Sequence, residues 1–224
     1  METLAVLGTA GVLGFLHALE IDHMLAVTTF VTQRPRLAAA AGFGARWGLG
    51  HSIAVLLAGG VLLAAGVKLP TRFDAIGEAA VGVMLLGLGV WAWISAGRLH
   101  LHTPEEHGGH AHMHHHQPRQ THAPDHEHGI TLVGLVHGLA GTSAVVALVP
   151  VTLLASLPVG LGYLVMFGVG VTAAMTLFAV AAAYAMRHAA ERSLVWGRRA
   201  ARTVGVLGVV VGMWWVLRAT GMIG

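Results

Sequence analysis

The sequence predicts an all-α, polytopic membrane protein: six transmembrane helices forming two inverted three-helix repeats, with the first helix broken at a cluster of ionisable residues. Three observations carry this expectation. Of 224 residues, 55% are hydrophobic and only 10% charged, with a mean hydropathy of +0.72, far too apolar for a soluble domain of this size. The apolar residues gather in six runs, at about 4–31, 37–66, 73–97, 130–156, 159–185 and 203–222, each close to or beyond the length that crosses a bilayer. Short motifs of the first three runs then recur, in the same order, in the last three.

The first run holds the segment His17-Ala-Leu-Glu20-Ile-Asp22-His23 near its middle. Ionisable groups there cost several kcal/mol each unless they are paired or used, so the default reading is a functional site. Imidazoles and carboxylates together suit Ni²⁺, Co²⁺ or Zn²⁺ rather than Mg²⁺ or Ca²⁺, which prefer oxygen shells. In a straight helix Asp22 lies about 140° around from His17, and His23 about 240°. Either only some of these side chains act together, or the helix is interrupted so that they face a common cavity, as transporters do near the midplane. The N-terminus carries Glu2 and no basic stretch, which predicts a retained span rather than a cleaved signal peptide.

The second run contains Arg46-Trp-Gly-Leu-Gly50-His51-Ser52. His51 is either a further ligand or a core histidine bonded to a backbone carbonyl. Ser52 is expected to orient an imidazole, and Arg46 either pairs with Asp22 or Glu20 or sits near the cytoplasmic end. The fourth run opens with Gly134-Leu-Val-His137-Gly-Leu-Ala-Gly-Thr142-Ser143, in which His137 has a ligand or a structural role and Thr142 and Ser143 supply hydroxyls. Small residues here and at Gly160, Gly162, Gly168 and Gly170 more often mean close helix packing than chemistry.

The repeat follows from alignment of the halves. Gly14-Phe-Leu-His17-Ala-Leu19 matches Gly134-Leu-Val-His137-Gly-Leu139, and at the same offset Gly48-x-Gly50 matches Gly168-x-Gly170. The third run matches the sixth with the offset shifted by three, Val81-Gly-Val against Val204-Gly-Val. Three spans per half require the halves to enter the membrane from opposite sides. The organisation is therefore a first membrane repeat at 1–97, a central segment at 98–128 and a second membrane repeat at 129–224.

The central segment holds eleven of the sixteen histidines, among them His110, His112, His114, His115 and His116. It has no apolar periodicity and is expected to be a disordered, metal-collecting tract. Nine Lys and Arg side chains in the connections that share its side of the membrane stand against three on the other, which predicts a cytoplasmic central segment and both termini outside, in a multi-pass protein of the cytoplasmic (inner) membrane. The net charge of +3 thus reflects topology, and no nucleic-acid partner is expected. Zero cysteines exclude thiolate ligands, and no Gly-x4-Gly-Lys-Ser/Thr loop is present for nucleotide hydrolysis.

These motifs resemble a known family. His17-x4-Asp22-His23 fits the signature of the nickel/cobalt transporters, and Leu49-Gly50-His51-Ser52 fits their motif in the next helix. The second half lacks the acidic motif of the longer members and is more similar to a six-span branch that includes urease-accessory nickel permeases. The resemblance implies a secondary transporter, not an enzyme, that takes up Ni²⁺ or Co²⁺ as substrate without a resident cofactor. It implies recognition by His17, Asp22, His23 and His51, with Glu20 and His137 as further candidates and nickel chaperones or metalloenzyme maturation proteins as partners. Efflux is the alternative, since related exporters carry His-rich cytoplasmic loops. An intramembrane metalloenzyme is less well matched: a zinc protease helix needs His-Glu-x-x-His, whereas here the next histidine is six residues after His17. A sensor using only the His-rich tract is the third class.

Overall fold

A computed structural model describes residues 2–33, 36–65, 72–97, 99–102, 112–115, 127–140 and 156–223. The chain runs α1 (Glu2–His17), α2 (Ile21–Gln33), α3 (Leu37–Ala65), α4 (Arg72–Ala96), β1 (Leu99–His102), β2 (His112–His115), α5 (Glu127–Ala140), α6 (Leu157–Arg192) and α7 (Leu194–Ala219). Among the described residues four helices, α3, α4, α6 and α7, are long and apolar enough to cross a membrane, and the bent pair α1 and α2 makes a fifth candidate. The protein is therefore a multi-pass helical membrane protein. The fourth predicted span enters the described residues only as α5, and Thr142, Ser143 and the remainder to 155 lie outside them.

Helix boundaries depart from the apolar runs where charge and hydrogen bonding part company. The sixth run begins at 203 because Arg198, Arg199 and Arg202 interrupt hydrophobicity, yet α7 begins at Leu194. Ser193 ends α6 and caps α7, its Oγ accepting from the Val195 N–H at 3.2 Å. The arginines are accommodated on aromatic faces, Arg199 over Trp196 at 5.7 Å and Arg202 over Trp93 at 5.6 Å. The central tract also departs from expectation. Part of it, expected to be without order, forms a short antiparallel ribbon of β1 and β2.

Helices pack through glycine. α3 lies against α5 and α6, α1 against α6, and α4 against α7. A Cβ at Gly14 would fall on the Phe167 carbonyl, and one at Gly134 on the Trp47 carbonyl. Gly50 faces Thr131 in the same way that Gly170 faces Gly11. Each pair of contacts exchanges partners across the 120-residue offset read from the sequence. On the third and sixth runs, Gly82 meets Gly212 while Gly89 meets Gly205, which reproduces the shift of three.

Such approaches suit association in lipid, where dispersion contacts replace the hydrophobic effect. Thr9, Thr28 and Thr176 donate to carbonyls one turn back, at 2.9, 2.6 and 2.7 Å, so their hydroxyls carry no unmet bond. The core around Phe43, Trp47, Leu85, Leu164, Val171 and Met175 lies between these crossings.

Gly50→Ala and Gly134→Ala should each destabilise the protein by about 1–3 kcal/mol through overpacking against backbone. Gly87→Ala, which meets nothing within 4 Å, should be neutral. Thermal unfolding of the detergent-solubilised proteins checks the contrast.

Candidate metal centre

The first span is not one helix. α1 stops at His17 and α2 starts at Ile21, with the axes bent by 59°. The intervening backbone closes locally: Leu19 N–H donates to Leu16 O at 3.0 Å, Glu20 N–H to His17 O at 2.9 Å, and Met24 N–H to Glu20 O at 3.0 Å. Few backbone groups are thus orphaned at the break, and Asp22 falls in the first turn of α2, where the helix dipole favours an anion. The turn brings the His17 and His23 rings to 4.6 Å, removing the angular separation that a straight helix would impose.

Two more helices complete the cluster. α3 supplies His51, 5.4 Å from the His17 ring and 5.1 Å from that of His23, and α5 supplies His137, stacked on His23 at 4.3 Å. His17, Asp22, His23, His51 and His137 are all buried. Ligand atoms of His17, His23 and His51 lie within 4.8 Å of one another, as do those of Asp22, His23 and His137. Sub-ångström adjustments would let the three imidazoles share one ion at the usual metal–nitrogen distance of about 2.0–2.1 Å.

Hydrogen bonds divide the residues by role. The Nδ1–H of His17 donates to Glu20 Oε1 at 2.8 Å, and that of His23 to Asp22 Oδ1 at 3.1 Å. The Nε2–H of His137 donates to Asp22 Oδ2 at 3.2 Å. Each carboxylate, as an acceptor, fixes the tautomer of the ring it holds and leaves the other nitrogen with its lone pair. Those opposite nitrogens, Nε2 of His17 and His23 and Nδ1 of His137, are buried with no hydrogen-bond partner among the described residues, as are both nitrogens of His51. Unpaired polar atoms in a buried site are costly and call for a ligand.

Glu20 is 53% exposed and bonds one ring. Asp22 is buried and serves two rings at once. Arg46 is half-buried on α3, while the bonds to Asp22 and Glu20 given above come from histidines.

Among the described residues Ser52 bonds no imidazole. Its Oγ lies 2.6 Å from Gly48 O, 3.0 Å from Gly168 O and 3.3 Å from Thr172 Oγ1, so it belongs to the α3–α6 crossing. Of the auxiliary histidines, His112, His114 and His115 lie on β2, and His110 and His116 fall outside the described residues.

Sequence reasoning missed Glu78. It is buried on α4, with Arg218 Nε 3.7 Å from its Oε2, and the Arg218 guanidinium also rests on Trp214 and Trp215. An acidic residue inside an apolar run was the available signal.

Against this geometry stand the comparisons with known proteins. The urease accessory protein UreH of Bacillus sp. (strain TB-90) is 31% identical over 186 residues, covering 80% of this chain and 76% of that protein. The chain belongs to the UreH family of urease accessory proteins. No family profile matches the chain, and no solved structure matches it. The extent of the match takes in both halves of the molecule rather than the motif helices alone.

Asp22→Asn should weaken metal binding by about 10–100-fold, the usual effect of removing an anion that orients ligating imidazoles. Glu20→Gln should have the smaller effect, because that carboxylate holds one ring whereas Asp22 holds two. Titration of the purified variants with Ni²⁺ measures both.

Proposed function

We infer that this protein is a secondary transporter carrying Ni²⁺ or Co²⁺ across the cytoplasmic membrane, in the direction of uptake. The observation that carries the reading is the set of buried, unpartnered imidazole nitrogens on His17, His23, His51 and His137, gathered at a broken helix inside an apolar bundle. His17, His23 and His51 take the ion as neutral imidazoles, replacing its water. Asp22, bonded to His23 and His137, balances the charge and holds both rings, and Glu20 holds His17. Borderline divalent cations favour this donor set.

The arrangement in the same reading is six spans in two inverted repeats, with the His-rich segment cytoplasmic and both termini outside. Reciprocal glycine contacts at the 120-residue offset support it, as does the excess of arginine on one side. Rocking of one half against the other then exposes the site alternately to the two sides. UreH is named a urease accessory protein, and in the same reading this chain delivers its ion to metalloenzyme maturation proteins or a nickel chaperone.

Cellular Ni²⁺ accumulation at low external metal, with wild type and His17→Ala at matched expression, tests the reading. Wild type should raise accumulation, and the variant should fall to the level of cells lacking the protein. A wild type that lowers accumulation reverses the direction to efflux. No effect of wild type in either direction overturns transport.

A further inference from the structure

Phe167 and Trp47 meet the metal centre from opposite halves of the molecule. Phe167 on α6 stacks on the His17 ring at 5.6 Å with the planes 21° apart, and Trp47 on α3 meets the His137 ring edge to face at 5.8 Å. Both are buried, and neither side chain is a metal ligand. The two contacts are one contact made twice: positions 17 and 137 are related by the 120-residue offset of the repeat, and so are 47 and 167. Each half therefore covers the motif histidine of the other.

Backbone and side chain have separate tasks at these positions. A Cβ at Gly14 would fall on the Phe167 carbonyl and one at Gly134 on the Trp47 carbonyl, so main chain makes the helix crossings. Rotation of either side chain about χ1, between staggered rotamers, leaves those crossings in place. Gly14 comes one turn before His17 on α1, and Gly134 one turn before His137 on α5. Each aromatic residue thus lies on the side of its histidine from which that helix arrives. Phe43 and Phe30 back the indole at 5.5 and 5.8 Å, and Tyr163, the offset partner of Phe43, is buried one turn before Phe167.

We propose, on the transport reading above, that these two side chains are the gates of the ion pathway, Phe167 closing the centre toward the outside and Trp47 toward the cytoplasm. In that reading α1 arrives from the outer face and α5 from the cytoplasmic face, which sets the two rings on opposite sides of the ion. An aromatic ring laid on an imidazole keeps water out of the passage, and hydrophobic constrictions of this kind gate by dewetting. With both rings seated the histidines are shut off from both faces, in keeping with the burial of His17, His23, His51 and His137. Alternating access then needs one ring at a time to swing aside as the halves rock.

The chain has no cysteine, so a single thiol placed at the centre by His23→Cys reports access directly. A membrane-impermeant methanethiosulfonate reagent is applied to spheroplasts, which present the outer face, and to inside-out vesicles, which present the cytoplasmic face. His23→Cys alone should label slowly in both. Adding Trp47→Ala should raise the rate several-fold in inside-out vesicles and leave it unchanged in spheroplasts, and adding Phe167→Ala should do the reverse. Trp47→Leu and Phe167→Leu, smaller truncations, should show the same sidedness more weakly, which keeps the test decisive where an alanine variant fails to fold. Opposite preferences with the two faces exchanged would support paired gates in a molecule of reversed orientation. Equal acceleration from both faces, or none, would overturn the gates. Labelling needs no ion flux, so sidedness without Ni²⁺ accumulation in cells counts against transport alone, and accumulation without sidedness counts against the gates alone.

Discussion

The interruption of the first span at residues 18–20 is the constraint on which the rest of the molecule depends. A continuous helix would point His17, Asp22 and His23 in different directions, leaving at least one of them toward lipid. Bending the axis by 59° turns all three inward and sets a carboxylate against one nitrogen of each ring. Local backbone bonds around Leu19 and Glu20 keep the break itself from exposing peptide groups to an apolar surrounding. The same turn leaves Asp22 at the start of a helix, where its charge is favoured by the peptide dipoles.

Close approach of the surrounding helices then decides which other residues reach the break. The contacts of Gly50 with Thr131 and of Gly134 with Trp47 draw α3 and α5 together, and with them His51 and His137. Larger side chains at those glycines would separate the backbones and carry the two histidines away from His23. Ser52, one residue beyond His51, belongs to the α3–α6 crossing through Gly48, Gly168 and Thr172. Packing and chemistry thus alternate along one stretch of α3.

Several charged groups elsewhere in the described bundle are likewise paired or covered. Glu78 and Arg218 join α4 to α7, and the guanidinium lies on two indole faces as well. At the other end of α7, Arg199 and Arg202 use Trp196 and Trp93. Paired charge and aromatic cover let a helix extend past the apolar run that marks its membrane part, which is why α7 starts nine residues before the run that predicts it.

The sequence by itself determined the membrane class, the helical character, the repeat offset and the residues His17, Asp22, His23 and His51 as one candidate group. Composition, span length and the cost of ionisable groups in hydrocarbon are local properties, readable without coordinates. It also left two arrangements at the motif, with the broken helix the expected one, and the tertiary structure set the bend at 59°. The division of Asp22 between His23 and His137, the pairing of Glu20 with His17, the packing role of Ser52 and the contact of Glu78 with Arg218 were decided there as well. Each depends on the distance and orientation of groups on different helices or across a turn, which no spacing along the chain encodes. The facing of β1 and β2 is of the same kind: alternation along each strand is legible, but which histidine opposes which is a matter of register.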